Sequence, residues 1–155
     1  MAKRWLVTLA ALWLVWCVPA AMAANSEATA GYYQVESAKP FQDVVDDLKL
    51  IVSEKNFRLT GHNQLGKALR ERDGEPFPDY DVLQFCNLGY AKELLKIDPD
   101  AIRYMPCTVA VYSRNGKTAV VGHTLPTDTA NPQLNQFGVK MNGILKEIID
   151  YAARR

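Results

Sequence analysis

Apolar and polar residues alternate through Tyr32-Tyr33-Gln34-Val35-Glu36, a period of two that predicts a half-buried strand. From Pro40 the period changes. Phe41, Val44, Val45, Leu48, Ile51 and Val52 recur at helical spacing, and a proline suits the first position of the helix they predict. Asp43, Asp46 and Asp47 place negative charge in its amino-terminal half, favourable to the helix dipole within the first turn. Phe57-Arg58-Leu59-Thr60 returns to a period of two and predicts a second strand. Asn63 to Arg72 predicts a short helix with Leu65, Ala68 and Leu69 facing inward, ended by Asp73-Gly74. Pro76-Phe77-Pro78 reads as a loop.

Tyr80 to Cys86 is rich in strand formers and predicts a third strand. Asn87 can cap the helix after it, whose inward residues would be Ala91, Leu94 and Leu95 and which Asp98-Pro99-Asp100 would stop. Thr108–Tyr112 and Thr118–Val121 flank Arg114-Asn115-Gly116-Lys117, and Asn-Gly between two such runs is the strongest short-range hairpin signal. Asn131-Pro132 then starts a long helix striped by Leu134, Phe137, Met141, Ile144, Leu145, Ile148 and Tyr151. Strands broken by helices, with one hairpin among them, imply a single α+β domain: a mixed or antiparallel sheet with helices packed on one face. No internal repeat and no second domain is evident.

Residues before the first strand read differently. Lys3 and Arg4 precede an uncharged apolar run of about 17 residues from Trp5, and Ala21-Met22-Ala23 offers small residues for cleavage, as in a secretory signal. A retained membrane anchor is the alternative, but the run is short for a span and Pro19 interrupts its end. Cleavage near Ala23 makes 1–23 a signal peptide, 24–31 a flexible lead and 32–155 the domain. The protein would be periplasmic or secreted, with no membrane span after processing. Cys17 follows Trp16 where lipidation would want a small residue, so it leaves with the signal. Removing 23 residues from 155 leaves 132, enough for one core, and 16 basic side chains then face 17 acidic ones, a net charge of −1. Such a surface offers no electrostatic footprint for nucleic acid.

Two cysteines remain. Cys86 lies where a strand gives way to a helix, a position that can lower a thiol pKa, and Cys107 begins a strand just after Pro106. If those strands are antiparallel neighbours, the end of one lies beside the start of the other and the cysteines approach. Phe85-Cys86-Asn87, Ala91, Leu95, Asp98-Pro99 and Met105-Pro106-Cys107 together resemble the domain-of-unknown-function 302 family, in which a Cys-Asn element and a Leu-Pro-Cys-like element recur at similar separation. The likeness runs from about Tyr32 to Tyr151. Leu88 stands where many members carry proline and Met105 where many carry leucine, both conservative for packing. The resemblance implies a curved, mostly antiparallel sheet with helices on one face, like the saddle of the TATA-box-binding protein. It implies no settled activity.

Four roles for Cys86 and Cys107 stay open: a structural disulfide, a soft-ligand site, a reversible thiol switch, and two unpaired cysteines buried as small hydrophobes. A disulfide closing a loop of about 20 residues would contribute roughly 3 kcal/mol. A ligand site could hold copper, zinc or haem iron on the thiolates, with Cys86 and Cys107 as the metal ligands. No Cys-x-x-Cys is present, so thioredoxin-type exchange is not expected. His62 and His123 sit at strand ends without metal-motif spacing to a cysteine. Asn87, Pro106, His62, Asn63 and His123 are candidates to line a pocket. Asp79, Asp81, Asp98 and Asp100 read as caps and solvated groups, and no serine elbow, phosphate loop or dinucleotide fingerprint occurs. The sequence therefore points to a binding or accessory domain centred on the cysteines, with a small ligand, a protein partner or a second copy as its partner. The alternative is a thiol-disulfide enzyme or sensor using the same residues.

Trp5, Trp13 and Trp16 are the chain's three tryptophans, and all precede Ala23. Protein recovered from the periplasm should therefore show tyrosine fluorescence alone; an indole emission band would place the cleavage site earlier or rule cleavage out.

Overall fold

In β-strands alternate residues face opposite sides of the sheet, and the burial along two of the strands obeys that rule closely. Leu83 and Phe85 of β3 (Tyr80–Cys86), Val109 and Val111 of β4 (Cys107–Arg114) and Val120 of β5 (Lys117–His123) are buried at 0–1% exposure. They meet two helices, α1 (Phe41–Glu54) and α4 (Pro132–Ala153), in one continuous core. The structure is a computed structural model and describes residues 31–154. The expected signal peptide, Cys17, the tryptophans and nearly all of the expected lead lie outside the described residues. Among the described residues no helix is long and apolar enough to cross a membrane.

Five strands form one antiparallel sheet in the order β1-β5-β4-β3-β2, with β1 spanning Tyr32–Ser37 and β2 Arg58–Gln64. The mixed-sheet alternative is thus excluded, and the α+β single domain stands. The β4–β5 hairpin turns at Asn115 and Gly116, both at positive φ (52° and 73°), the conformation that suits the sheet's own twist. α1 buries Val44, Val45, Leu48, Ile51 and Val52, as its spacing predicts, with Pro40 at the cap rather than inside the helix. Full burial of each such side chain contributes about 1.5–3 kcal/mol relative to exposure.

Three expectations need correction. β2 runs on to Gln64 across a bulge between Leu59 and Gly61, so His62 lies inside the strand opposite Leu83 and not at its end. The following helix, α2 (Leu65–Asp73), buries Gly66, while Leu65 and Ala68 are exposed. It docks by close backbone approach: a Cβ at Gly66 would lie 2.4 Å from the Pro78 carbonyl oxygen and 2.7 Å from the Tyr80 nitrogen. The last helix buries Ile149 and Ala152 where the expected stripe had Tyr151, because its inner face drifts over the long helix.

Between α3 (Leu88–Ile97) and β4 the chain forms a 3-10 helix, Pro99–Tyr104, which the sequence pattern did not suggest. Asp98 ends α3 and caps this turn by accepting from the Asp100 N–H at 2.9 Å. The chain leaves β5 along Thr124–Pro126 and runs beneath α4, where Asn142 brackets Leu125 by accepting from its N–H at 2.8 Å and donating to its carbonyl at 2.9 Å. At Gly138 a Cβ would meet the Pro126 carbonyl oxygen at 2.4 Å. Alanine is the better helix former there by about 1 kcal/mol. Even so, Gly138→Ala should destabilise by roughly 1–3 kcal/mol, the usual range for overpacking, because a rigid carbonyl must move. A melting temperature equal to or above wild type would show that α4 is free to shift away from this segment.

Candidate functional site

β3 and β4 are antiparallel neighbours, as the cysteine proximity required, and Phe85 stands opposite Cys107. Cys107 shares the face of Phe85, Val109 and Val111 and packs against the helix-covered core, and Cys86 is the last residue of β3, one beyond Phe85. Both cysteines are free, so of the four roles left open the structural disulfide is not formed. They still border one small apolar cavity of about 30 Å³ with Phe57, Tyr90, Leu94 and Met105. That is room for a water molecule and little more.

Burial pushes the Cys107 thiol up to about 11, and the neighbouring Cys86 adds to the rise. Near neutral pH Cys107 is therefore a protonated, weakly nucleophilic thiol. Among the described residues no three His, Cys, Asp or Glu side chains gather into a group that could hold a metal ion. Two cysteines, one of them held protonated, do not make a four-ligand zinc or copper centre.

The pocket candidates divide among three places. Asn87 caps α3 by accepting from the Gly89 and Tyr90 N–H groups, and its amide donates to the Asn56 carbonyl at 2.9 Å. It braces the end of α1, where Asn56 sits at φ 59°, and so serves the fold first. His62 and Asn63 border a separate open groove of about 330 Å³ along β2 and α2. His62 Nε2 lies 2.6 Å from Asp81 Oδ2, and Asp81 is 5% exposed. Asp81 is thus an inward strand residue and not the solvated group expected. Its parity with Leu83 and Phe85 carried that signal.

Pro106, Cys107 and His123 come together. They line a cleft of about 250 Å³ where β4 begins and β5 ends, joined by Gln84, Thr108, Thr124 and Arg103. Met105, Leu125, Met141 and Leu145 complete it as an apolar floor. Pro106 follows a cis peptide bond, and its carbonyl accepts from the Thr108 hydroxyl at 3.2 Å. The His123 ring stands edge-on to Tyr32, centroids 4.9 Å apart. Arg103 is exposed at the mouth, its guanidinium over the Tyr104 ring at 5.0 Å from the centroid. Sequence reasoning missed Arg103 because the 3-10 helix that carries it has no clear periodicity.

A model of the domain of unknown function DUF302 matches residues 33–151. The chain belongs to the DUF302 family. Among solved structures it is similar to that of an uncharacterized conserved protein DUF302 from Bacillus stearothermophilus, with a TM-score of 0.67 and 21% identity over 79% of this chain and 98% of that one. That likeness confirms the DUF302 fold. No curated protein matches the chain.

The raised Cys107 pKa has a consequence for this DUF302 domain. An unfolded thiol titrates near 8.5. Because the folded value is higher, the buried neutral thiol contributes fully below the unfolded pKa, and that contribution fades as pH rises through about 11. Wild type should therefore lose up to roughly 3 kcal/mol more than Cys107→Ala between about pH 8.5 and 11. Parallel pH profiles in urea unfolding would show instead that Cys107 titrates as an ordinary thiol.

Proposed function

We propose that this protein is an exported binding domain that holds a small organic ligand in the cleft where β4 begins and β5 ends. One observation carries this reading: Gln84, the 103–108 segment with Arg103, Pro106, Cys107 and Thr108, and His123 converge with Met141 and Leu145 on a single cleft with an apolar floor and a polar mouth. Ligand sites commonly combine those features, and the volume suits a compact guest. Cys107 forms part of the wall and supplies no resting thiolate. The leader-like residues before Ala23 support a periplasmic setting, where such a domain would bind its ligand or pass it to a partner.

Thiol-disulfide chemistry is the second reading, favoured by the shared cavity that Cys86 and Cys107 border. Two measurements separate the readings. Amide spectra of labelled protein, titrated with mixed small organic fragments, should shift at Thr108, His123, Thr124 and Leu125. Those shifts should vanish in Leu125→Trp, whose indole would occupy the floor, while the rest of its spectrum stays dispersed. Native mass spectrometry of periplasmic protein should give one mass before and after reductant. Fragment shifts confined to other surfaces, or a gain of two hydrogens on reduction, would overturn the binding reading.

A further inference from the structure

The lining of this cleft is uneven in charge. No aspartate or glutamate borders it, and Arg103 is its one residue with a permanent charge. Among the described residues Arg103 forms no salt bridge, whereas Arg70, Arg72 and Arg114 all do. Tyr104 and, to a lesser degree, Asp98 and Asp100 raise the Arg103 pKa, yet neither aspartate forms an ion pair with its guanidinium. The Tyr104 ring lies against that group, its centroid 5.0 Å from the guanidinium carbon. Around it stand groups that can donate a hydrogen bond: the Thr124 hydroxyl, the Gln84 amide and the His123 ring.

We infer that the cleft takes a small carboxylate with an apolar body, its carboxylate on Arg103 and its body over Leu125, Met141 and Leu145. This rests on the binding reading above. A guanidinium offers a planar fork that matches a carboxylate bidentately. Arg103 is a single cation with no glycine-rich backbone cradle among the lining residues, which suits one negative charge better than a phosphate dianion. The apolar floor needs a hydrocarbon portion to cover it, since an inorganic anion would leave it bare. Liquid water fills about 30 Å³ per molecule, so 250 Å³ corresponds to roughly eight waters, or a guest of comparable heavy-atom number.

Hexanoate, hexanamide and hexylamine share one body and differ in the head, and each would be titrated into labelled periplasmic protein. Hexanoate should shift the Thr108, His123, Thr124 and Leu125 amides at least tenfold more tightly than hexanamide, and hexylamine should leave them unmoved. Arg103→Gln, a change at an exposed position, should weaken hexanoate at least tenfold, leaving hexanamide affinity and the melting temperature unchanged. If hexanamide binds those amides as tightly as hexanoate, the carboxylate inference fails while the cleft remains a binding site. If hexanoate binds Arg103→Gln undiminished, the inference fails likewise. If none of the three probes moves those amides, and the fragment mixtures also leave them still, both readings fall together.

Discussion

Between β3 and β4 the antiparallel ladder sets Phe85 opposite Cys107, Leu83 opposite Val109 and Asp81 opposite Val111. Once that register is fixed, the parity of each residue decides which face it joins. A slip of one residue would send Leu83 and Phe85 to the uncovered face and bring Val82 and Gln84 under the helices, so burial of the large side chains specifies the register strongly. The same constraint sets Cys107 at the edge of the core opposite Phe85, with Cys86 one residue further along β3, and the two thiols border one apolar cavity without bonding.

The cleft is amphipathic for a related reason. It wraps around the end of a strand and so collects side chains from both faces of the sheet. From the helix-covered side come Cys107, Leu125, Met141 and Leu145; from the other come Gln84, Thr108 and His123, whose neighbours in the register are polar or exposed. Helix α4 supplies the floor because Gly122 and Gly138 let it lie close to β5 and to the chain leaving it. A Cβ at Gly122 would fall 2.5 Å from the Ile149 side chain. Replacing the glycines that permit this approach would lift the floor and open the cleft at its base.

Most of the fold was legible because it rests on local periodicity. The β3 limits, the Asn-Gly hairpin, the Asn131-Pro132 start of α4 and the buried stripe of α1 all follow from spacing and turn chemistry. The misplacements share another origin. α2 buries a glycine because backbone meets backbone there, and the apolar spacing of Leu65 and Ala68 has no bearing on such a contact. β2 passes through Gly61-His62-Asn63, residues of poor strand propensity, because β3 offers them a ladder. At the site, Pro106, Cys107 and His123 were legible as strand-end residues, but their meeting depended on β4 and β5 being partners. Arg103 was not legible, since a short 3-10 turn leaves no period to read.

Cys107 stands at the junction between these scales. A thiol at a strand start suggests reactivity only if its anion is stabilised, and here the anion would lie beside Val109, Phe85 and the core, with Cys86 as a further disfavouring charge. Desolvation opposes ionisation more than the cleft's polar mouth can favour it, because Arg103 is exposed and screened by water while Cys107 is not. The thiol consequently behaves as wall material: polarizable, neutral and close in size to a small apolar side chain. Its neutrality leaves the positive charge at the mouth uncompensated from within, so the cleft retains its own reason to attract an anion.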